Sequence, residues 1–141
     1  MLPLCSALEK QFQAYLVGQN ITNLLDRVYR FVNAGESVTP CVFVTAVTGD
    51  EIGSPGSGIF KVPVVITQAC AATDIINDST GLDTLTSAVE AALTGAQEAI
   101  NALDTDVHIF NLTMRNAPSP KIEGNTYQYF VVLEATCKKI N

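Results

Sequence analysis

The residues of this sequence that could carry catalysis are few and scattered. His108 is the single histidine, so any serine or cysteine mechanism with an imidazole base would have to use it. It lies in an alternating run and shares a predicted face with Phe110 and Leu112, a position typical of a hydrogen-bonded structural histidine. The sequence also lacks a G-x-S-x-G motif, so it does not indicate a hydrolase of that type.

The sequence indicates a metal site or a phosphate site as weakly as it indicates catalysis. Asp104 and Asp106 could pair for metal binding or acid–base chemistry, but aspartate is also the expected residue at a helix-to-strand turn. Residues 53–58, GSPGSG, superficially resemble a phosphate-binding loop, yet no Lys-Ser/Thr pair follows and the segment does not open a helix. We therefore predict that the protein is not an enzyme and uses no cofactor and no metal.

The four cysteines have no spacing that indicates a metal site, since no two of them form a C-x-x-C pair. They are Cys5, Cys41, Cys70 and Cys137. The last three fall in apolar, strand-like runs, where we expect reduced, buried thiols, with a disulfide as the alternative.

Composition predicts a single folded domain that spans residues 1–141. The chain is 48% hydrophobic, which is enough material for one core. No apolar run reaches the roughly 20 residues that a membrane-spanning helix needs, and MLPLC lacks the features of a signal peptide. We expect a protein that is made in the cytoplasm and binds no membrane.

The formal net charge of −6 is unevenly distributed along the chain. Between residues 74 and 106 the charged residues are all acidic: Asp74, Asp78, Asp83, Glu90, Glu98, Asp104 and Asp106. We expect one distinctly negative surface, which disfavours nucleic-acid binding and favours either solubility or a basic partner.

Two helices are predicted from apolar spacing. Residues 80–103 place large aliphatic side chains at helical intervals, with Thr80 and Asp83 as a cap, although Gly95 could kink or interrupt this long helix. A short first helix is expected over residues 6–17, where Ser6 to Glu9 reads as a capping box.

Two antiparallel hairpins are predicted from apolar and turn-rich segments. In the first, strands at residues 39–47 and 59–70 flank a Gly/Ser-rich loop at 48–58, which is either a flexible surface loop or an interaction loop that orders against a partner. Pro63 lies inside the second of these strands and predicts an edge strand or a bulge.

The second hairpin joins strands at residues 107–115 and 127–138 through a Pro/Gly turn region. Residues 20–33 are ambiguous, and we favour a turn followed by an extended segment. The predicted fold is α+β: a mostly antiparallel sheet of about four strands in two hairpins, with one long and one short helix packed on it.

This order of elements resembles the small tail terminator, or tail completion, proteins of long-tailed bacteriophages. The resemblance covers residues 6–140 and rests on layout: a short helix, the strand TPCVFVTAV, a Gly/Ser-rich loop, the strand KVPVVITQAC, the helix LDTLTSAVEAAL, and a closing hairpin that ends in YQYFVVLEATCKKI. The stretch from Arg27 to Glu36 departs from this layout, because it is longer than the family pattern leads us to expect.

The resemblance implies a structural virion protein that assembles in the host cytoplasm. Such proteins form a hexameric ring that caps the tail tube and joins it to the head connector, and DNA passes through without specific binding. The implied interface candidates are Asp50, Glu51, Ile52, Ser54, Ile59 and Phe60. The implied lumen or acidic-surface candidates are Asp83, Glu90 and Glu98. The alternatives are another neck or head-to-tail joining protein, or a small soluble ligand-binding domain or enzyme.

Overall fold

The computed structural model describes residues 4–21, 24, 26–30, 40–51, 57–69, 82–103, 107–115, 117–123 and 126–140. The helices in these ranges are α1 (Leu4–Gly18), α2 (Leu82–Leu93) and α3 (Gln97–Asn101). The strands are β1 (Val28–Arg30), β2 (Cys41–Val44), β3 (Val47–Glu51), β4 (Ser57–Ala69), β5 (Val107–Arg115), β6 (Lys121–Glu123) and β7 (Thr126–Lys139). The chain is therefore α+β.

The strands form one mixed sheet in the order β1-β2-β4-β7-β5, in which β3 also pairs with β4 and β6 with β7. Both hairpins are present and antiparallel. The sheet differs from the prediction in β1, which adds a parallel strand beside β2. The central pair is β4 and β7, whose register runs from Ser57↔Lys138 to Ala69↔Thr126, a ladder about 44 Å long.

The core lies between the helices and one face of the sheet. Along β7 every second side chain from residue 131 to residue 137 is buried, as the two-residue period of a strand requires. The fully buried large side chains include Leu8, Phe12 and Leu16 of α1, Leu93 and Ile100 of α2 and α3, and Ile66, Ile109 and Leu133 of the sheet.

Gly95 splits the predicted long helix into α2 and α3, so the prediction of one long helix is wrong. Both the amide and the hydroxyl of Thr94 donate to the carbonyl of Glu90, at 3.0 and 2.8 Å, and these bonds close the end of α2. Gly95 then takes a φ of +67°, which favours glycine at a helix C-terminus. The predicted cap at Thr80 lies outside the described residues.

The first helix begins earlier than predicted, at Leu4, so Ser6 to Glu9 is not a capping box. Glu9 instead belongs to the buried side of α1. Two further polar side chains on this side bind the other helices: the Gln11 Nε2 donates to the carbonyl of Ile100 at 2.9 Å, and the Tyr15 hydroxyl donates to the carbonyl of Ala92. These bonds set the position of α1 against α2 and α3.

Pro63 does not lie on an edge strand, because β4 has neighbours on both sides. β2 ends at Val44 and β3 begins at Val47, with unchanged register across the interruption. The carbonyl of Pro63 accepts a hydrogen bond from the amide of Thr45 at 3.2 Å. Since the amide and carbonyl of a strand residue point to the same side, the missing amide hydrogen of Pro63 faces this interruption. The neighbouring strand, rather than a bulge in β4, accommodates the proline.

The first hairpin has longer strands and a shorter connection than predicted. Most residues at the two ends of the predicted 48–58 loop are strand residues. Val47–Glu51 form β3, and Ser57 and Gly58 begin β4. The register shifts between Thr48 and Glu51. Residues 52–56 of the predicted loop lie outside the described residues.

A bulge at Phe110 overturns the predicted alternation of β5. Ile109 pairs with Cys137 and Asn111 with Thr136, so Phe110 is an extra residue in β5. The bulge reverses the faces that follow it. His108 is therefore exposed on the opposite face of the sheet from Leu112, and it is not the enclosed structural histidine that we expected.

Two amide side chains of α3 bind the outer edge of β5 around this bulge. Asn101 accepts from the amide of Ile109 at 2.8 Å and donates to its carbonyl at 2.9 Å, as a paired strand residue would. Gln97 donates to the carbonyl of Phe110 at 3.0 Å and accepts from the amide of Leu112 at 3.1 Å. The edge of β5 is thus occupied at this point by the chain's own helix.

Gly95→Ala is expected to lower the free energy of unfolding by about 1–2 kcal/mol, because alanine is strained at positive φ. Gly18→Ala, at the last residue of α1, is the matched control, since an added Cβ meets nothing within 4 Å at either position. We expect Gly18→Ala to be neutral or stabilising by up to about 1 kcal/mol. Urea unfolding of the two variants measures the difference, and equal stabilities would contradict the role given to Gly95.

Candidate functional site

The face of the sheet that points away from the helices is called here the back face. Its members alternate with the buried core residues, and residues directly opposite on neighbouring strands share it. The cross-strand pairs Val65↔Phe130, Pro63↔Val132 and Lys61↔Glu134 lie at its centre. The back face also includes Tyr29, Phe43, Ile59, Arg115, Lys121 and Lys138.

The centre of the back face is apolar. Val65, Phe130 and Val132 are half-buried, whereas their core-facing neighbours on the same strands are buried. The rings of Tyr29 and Phe43 pack against each other at 5.9 Å between centroids. In the described part of the chain no helix covers these side chains. A solvated face of a mainly antiparallel sheet is normally polar, so the apolar centre of the back face departs from the usual pattern.

Four cations surround this apolar centre: Lys61, Arg115, Lys121 and Lys138. They are half of the eight Lys and Arg residues of the chain, although the chain as a whole is acidic. Among the described side chains of the back face the acid is Glu134, which accepts from Nη2 of Arg115 at 2.6 Å. Lys121 Nζ lies 5.9 Å from the ring centroid of Phe130. The back face is therefore basic as well as apolar.

A shallow open cleft of about 370 Å³ lies in the back face between Lys61, Arg115, Val132 and Glu134. The hydrogen bond to Glu134, together with its charge, raises the pKa of Arg115 above its usual value, so this cation is permanent. The cleft offers two cations, one carboxylate and an apolar wall. Its two cations are suited to holding a carboxylate ligand.

The structure places the predicted interface residues in three different settings. Ile59 is half-buried and lies on the back face, whereas Phe60 is 4% exposed and belongs to the core, so Phe60 is not available to a partner. Asp50 and Glu51 lie in β3, and Ile52 and Ser54 lie outside the described residues.

Apart from Ile59, sequence reasoning did not choose the residues that make up the back face. The alternation of residues 127–138 was the signal that could have found it. That pattern already separates Phe130 and Val132 from the core residues of the same strand.

The predicted acidic surface lies on the outer side of the helices. Glu90 of α2 and Glu98 of α3 are both exposed, while Asp83 is in α2 with its side chain outside the described residues. Their exposed neighbours Ser87, Ala91 and Ala99 are small. Residues 82–103 contain no Lys or Arg, so this surface, called here the helix surface, is flat and negative.

Glu9 connects α1 to both β1 and the interruption between β2 and β3. Its carboxylate accepts from the amide of Ala46 at 2.8 Å and from Nε of Arg30 at 3.1 Å. Both ionic side chains are largely buried, with 11% of the Glu9 and 15% of the Arg30 side-chain surface exposed. Each hydrogen-bond donor therefore offsets part of the cost of burying the carboxylate. This cluster positions the sheet and is not open to a ligand.

The remaining chemically capable residues show no catalytic arrangement. Cys5, Cys41 and Cys137 are free thiols, and Cys70 lies outside the described residues. Burial raises the pKa of Cys41 to about 11 and that of Cys137 to about 12, so both stay protonated at neutral pH and are poor nucleophiles. The exposed His108 packs edge-on against Phe110 at 4.9 Å.

Asp104 and Asp106, the candidate acid pair, lie outside the described residues. Within the ranges that the structure describes, no three His, Cys, Asp or Glu side chains gather into a group that could hold a metal ion. The described helices include none that is long and apolar enough to cross a membrane.

No protein-family model and no curated protein matches the sequence.

Glu9→Gln is expected to lower the free energy of unfolding by about 2 kcal/mol, because it leaves the mostly buried Arg30 without a charged partner. The matched control is Glu134→Gln, which makes the same change at the other Arg–Glu pair, where the arginine side chain is 55% exposed. We expect that control to cost less than about 1 kcal/mol. The nitrogen–oxygen distance is 2.6 Å in the Arg115–Glu134 pair and 3.1 Å in the Arg30–Glu9 pair. A larger loss of stability from Glu134→Gln would therefore show that distance, rather than burial, determines the contribution of the pair.

Stability is expected to fall as the pH rises above about 9, the ordinary pKa of these thiols. The unfolded chain then loses the Cys137 proton, whereas the folded chain keeps it until a pH of about 12. Each such thiol lowers the unfolding free energy by up to about 1.4 kcal/mol per pH unit in this window and has no effect below it. Between pH 8 and pH 10, the free energy of unfolding of Cys137→Ala should fall by about 1 kcal/mol less than that of the unmodified protein, as measured by urea unfolding. Equal losses would contradict the assignment.

Proposed function

We propose that this chain is a structural protein of a bacteriophage tail, a tail terminator that assembles into a ring. The ring caps the tail tube and joins it to the head connector. The observation that carries the proposal is the back face, an apolar and basic sheet surface that no described helix covers.

The order of helices and strands supports the proposal. The chain runs from a short helix through a long hairpin to the α2–α3 segment and a closing hairpin. This is the layout on which the resemblance to tail terminators rests. The extra strand β1 and the split of the second helix change the details but keep the order of the elements.

The size of the back face also supports a subunit interface. All the described strands together, at about 3.4 Å rise per residue and about 4.8 Å spacing between strands, give a face on the order of 800 Å². A stable protein interface buries about 800 Å² on each partner. Covering most of the back face would therefore be enough for a specific contact between subunits.

The charge distribution agrees with passage of DNA through such a ring. Subunit contacts on the back face would bury Lys61, Arg115, Lys121 and Lys138, and the exposed remainder of the chain would be still more acidic. An acidic surface repels DNA, so DNA would pass without being specifically bound. Another neck or head-to-tail joining protein would meet the same physical demands.

One observation favours a second candidate function, a small ligand-binding domain. The open cleft beside Lys61 and Arg115 could accept a carboxylate-bearing ligand. A monomer that binds such a ligand would not need the apolar area of Val65, Phe130 and Val132, which is why we rank this candidate second.

Val132→Lys is expected to abolish ring assembly, because it places a charge at the apolar centre of the back face. In sedimentation velocity over a concentration series, the unmodified protein should form a closed oligomer, six copies by the resemblance, and Val132→Lys should remain a monomer. Met114→Lys is the matched control, since Met114 of β5 is an apolar side chain with 42% exposure that lies opposite Leu133, on the other face of the sheet. A monomeric unmodified protein, or equal behaviour of the two variants, would contradict the interface.

The tail assignment is tested separately by adding the protein to growing tail tubes. Electron microscopy of gold-labelled protein should show it at one end of each tube, with growth stopped there. Label spread along the tube, or no binding, would contradict the function even if the ring forms.

A further inference from the structure

The two broad surfaces of this chain are opposite in charge. The back face has four cations around an apolar centre, and the described acid among them, Glu134, is already held by Arg115. The helix surface has Glu90 and Glu98 exposed and no Lys or Arg. The sheet separates these two surfaces, so they lie on opposite sides of one molecule.

We infer that the back face of one copy binds the helix surface of the next copy, so that the chain assembles head-to-tail. The inference rests on the proposed ring and names the two surfaces that meet in it. It assigns Glu90 and Glu98 to the contact between subunits, in place of the lumen position that the resemblance implies.

Charge complementarity selects a second copy of this chain as the occupant of the back face. Two back faces placed against each other would bring Lys61, Lys121 and Lys138 against the same three cations, since Arg115 is paired with Glu134, and this repulsion opposes a two-fold dimer through this surface. The helix surface of another copy brings carboxylates to Lys61, Lys121 and Lys138 instead. The open cleft at Lys61 and Arg115 is wide enough to receive one of these carboxylates.

The shape of the helix surface agrees with its charge. Ser87, Ala91 and Ala99 are exposed on the same two helices as the glutamates. Such small side chains let the helix backbones approach the flat centre formed by Val65, Phe130 and Val132. A surface of long side chains would hold the two copies apart and leave the apolar centre wet.

The arrangement has a consequence for symmetry. Because the contact joins two different surfaces of the chain, it is heterologous, and repeating it produces a ring or an open filament. A heterologous contact is what a ring of identical subunits requires. It also predicts that assembly weakens as salt concentration rises, since the exposed charges are screened.

Complementary charge reversal tests the inference on the full chain. The first variant, Lys61→Glu with Lys121→Glu, reverses the back face, and the second, Glu90→Lys with Glu98→Lys, reverses the helix surface. Each alone should weaken self-association by at least about tenfold in sedimentation equilibrium, because every contact then opposes like charges. An equal mixture of the two should associate again, since each variant restores the charge that the other lacks.

The controls reverse charges elsewhere on the surface. Lys10→Glu on α1 and Asp26→Lys before β1 change exposed charges of the same signs and should assemble like the unmodified protein. Circular dichroism and thermal unfolding of every variant monitor folding. Recovery in the mixture cannot come from misfolded chains, so it is the decisive readout.

The possible results separate this inference from the proposed function. Variants that assemble as tightly as the unmodified protein, or a mixture that does not recover, would overturn the head-to-tail contact even if rings still cap tail tubes. Recovery in the mixture together with no binding to tail tubes would support the contact and overturn the tail assignment.

Discussion

Pro63, in the middle of the central strand β4, imposes the constraint on which the rest of the structure depends. A proline has no amide hydrogen, so the strand beside it loses one hydrogen bond, and here that strand is interrupted between Val44 and Val47. Thr45, opposite Pro63, points its amide towards β4, so the amide of the next residue, Ala46, points away from β4, and Glu9 of α1 accepts its hydrogen. Glu9 also binds Arg30 of β1. Glu9 thereby joins α1 both to β1 and to the interruption beside Pro63.

The same principle acts at the opposite edge of the sheet. There Gln97 and Asn101 of α3 bind backbone groups of β5 around the bulge at Phe110. Polar side chains of the helices thus satisfy strand groups on both sides of the sheet, and the apolar core fills the space between. A mostly buried ion pair such as Glu9–Arg30 contributes modestly to net stability, but it is costly to break and it favours one arrangement of the helices. All the described helices are therefore held on one face, and no described helix covers the other face.

Local patterns predicted the α+β class and both hairpins. They were less reliable where a single residue decides the local structure. The apolar phase of residues 82–103 continues past Gly95, since Leu93 and Ile100 are both buried, so the glycine allowed a break in the sequence pattern but the positive φ was needed to establish it. A single extra residue at Phe110 reverses the rest of β5. Glu9 fits a capping pattern as well as a buried contact, and its partner Ala46 is 37 residues away, beyond any local signal.

Both faces of the sheet carry apolar side chains, but the described helices cover one face and not the other. Strands apolar on both sides are typical of sheets that are covered on both sides by helices. The described helices of this chain cover one side, and under the proposed head-to-tail contact the acidic helix surface of another copy would cover the basic second side. Each sheet would then lie between its own helices and those of its neighbour. The proposed ring would thus give the sheet the two covered faces that its apolar side chains favour.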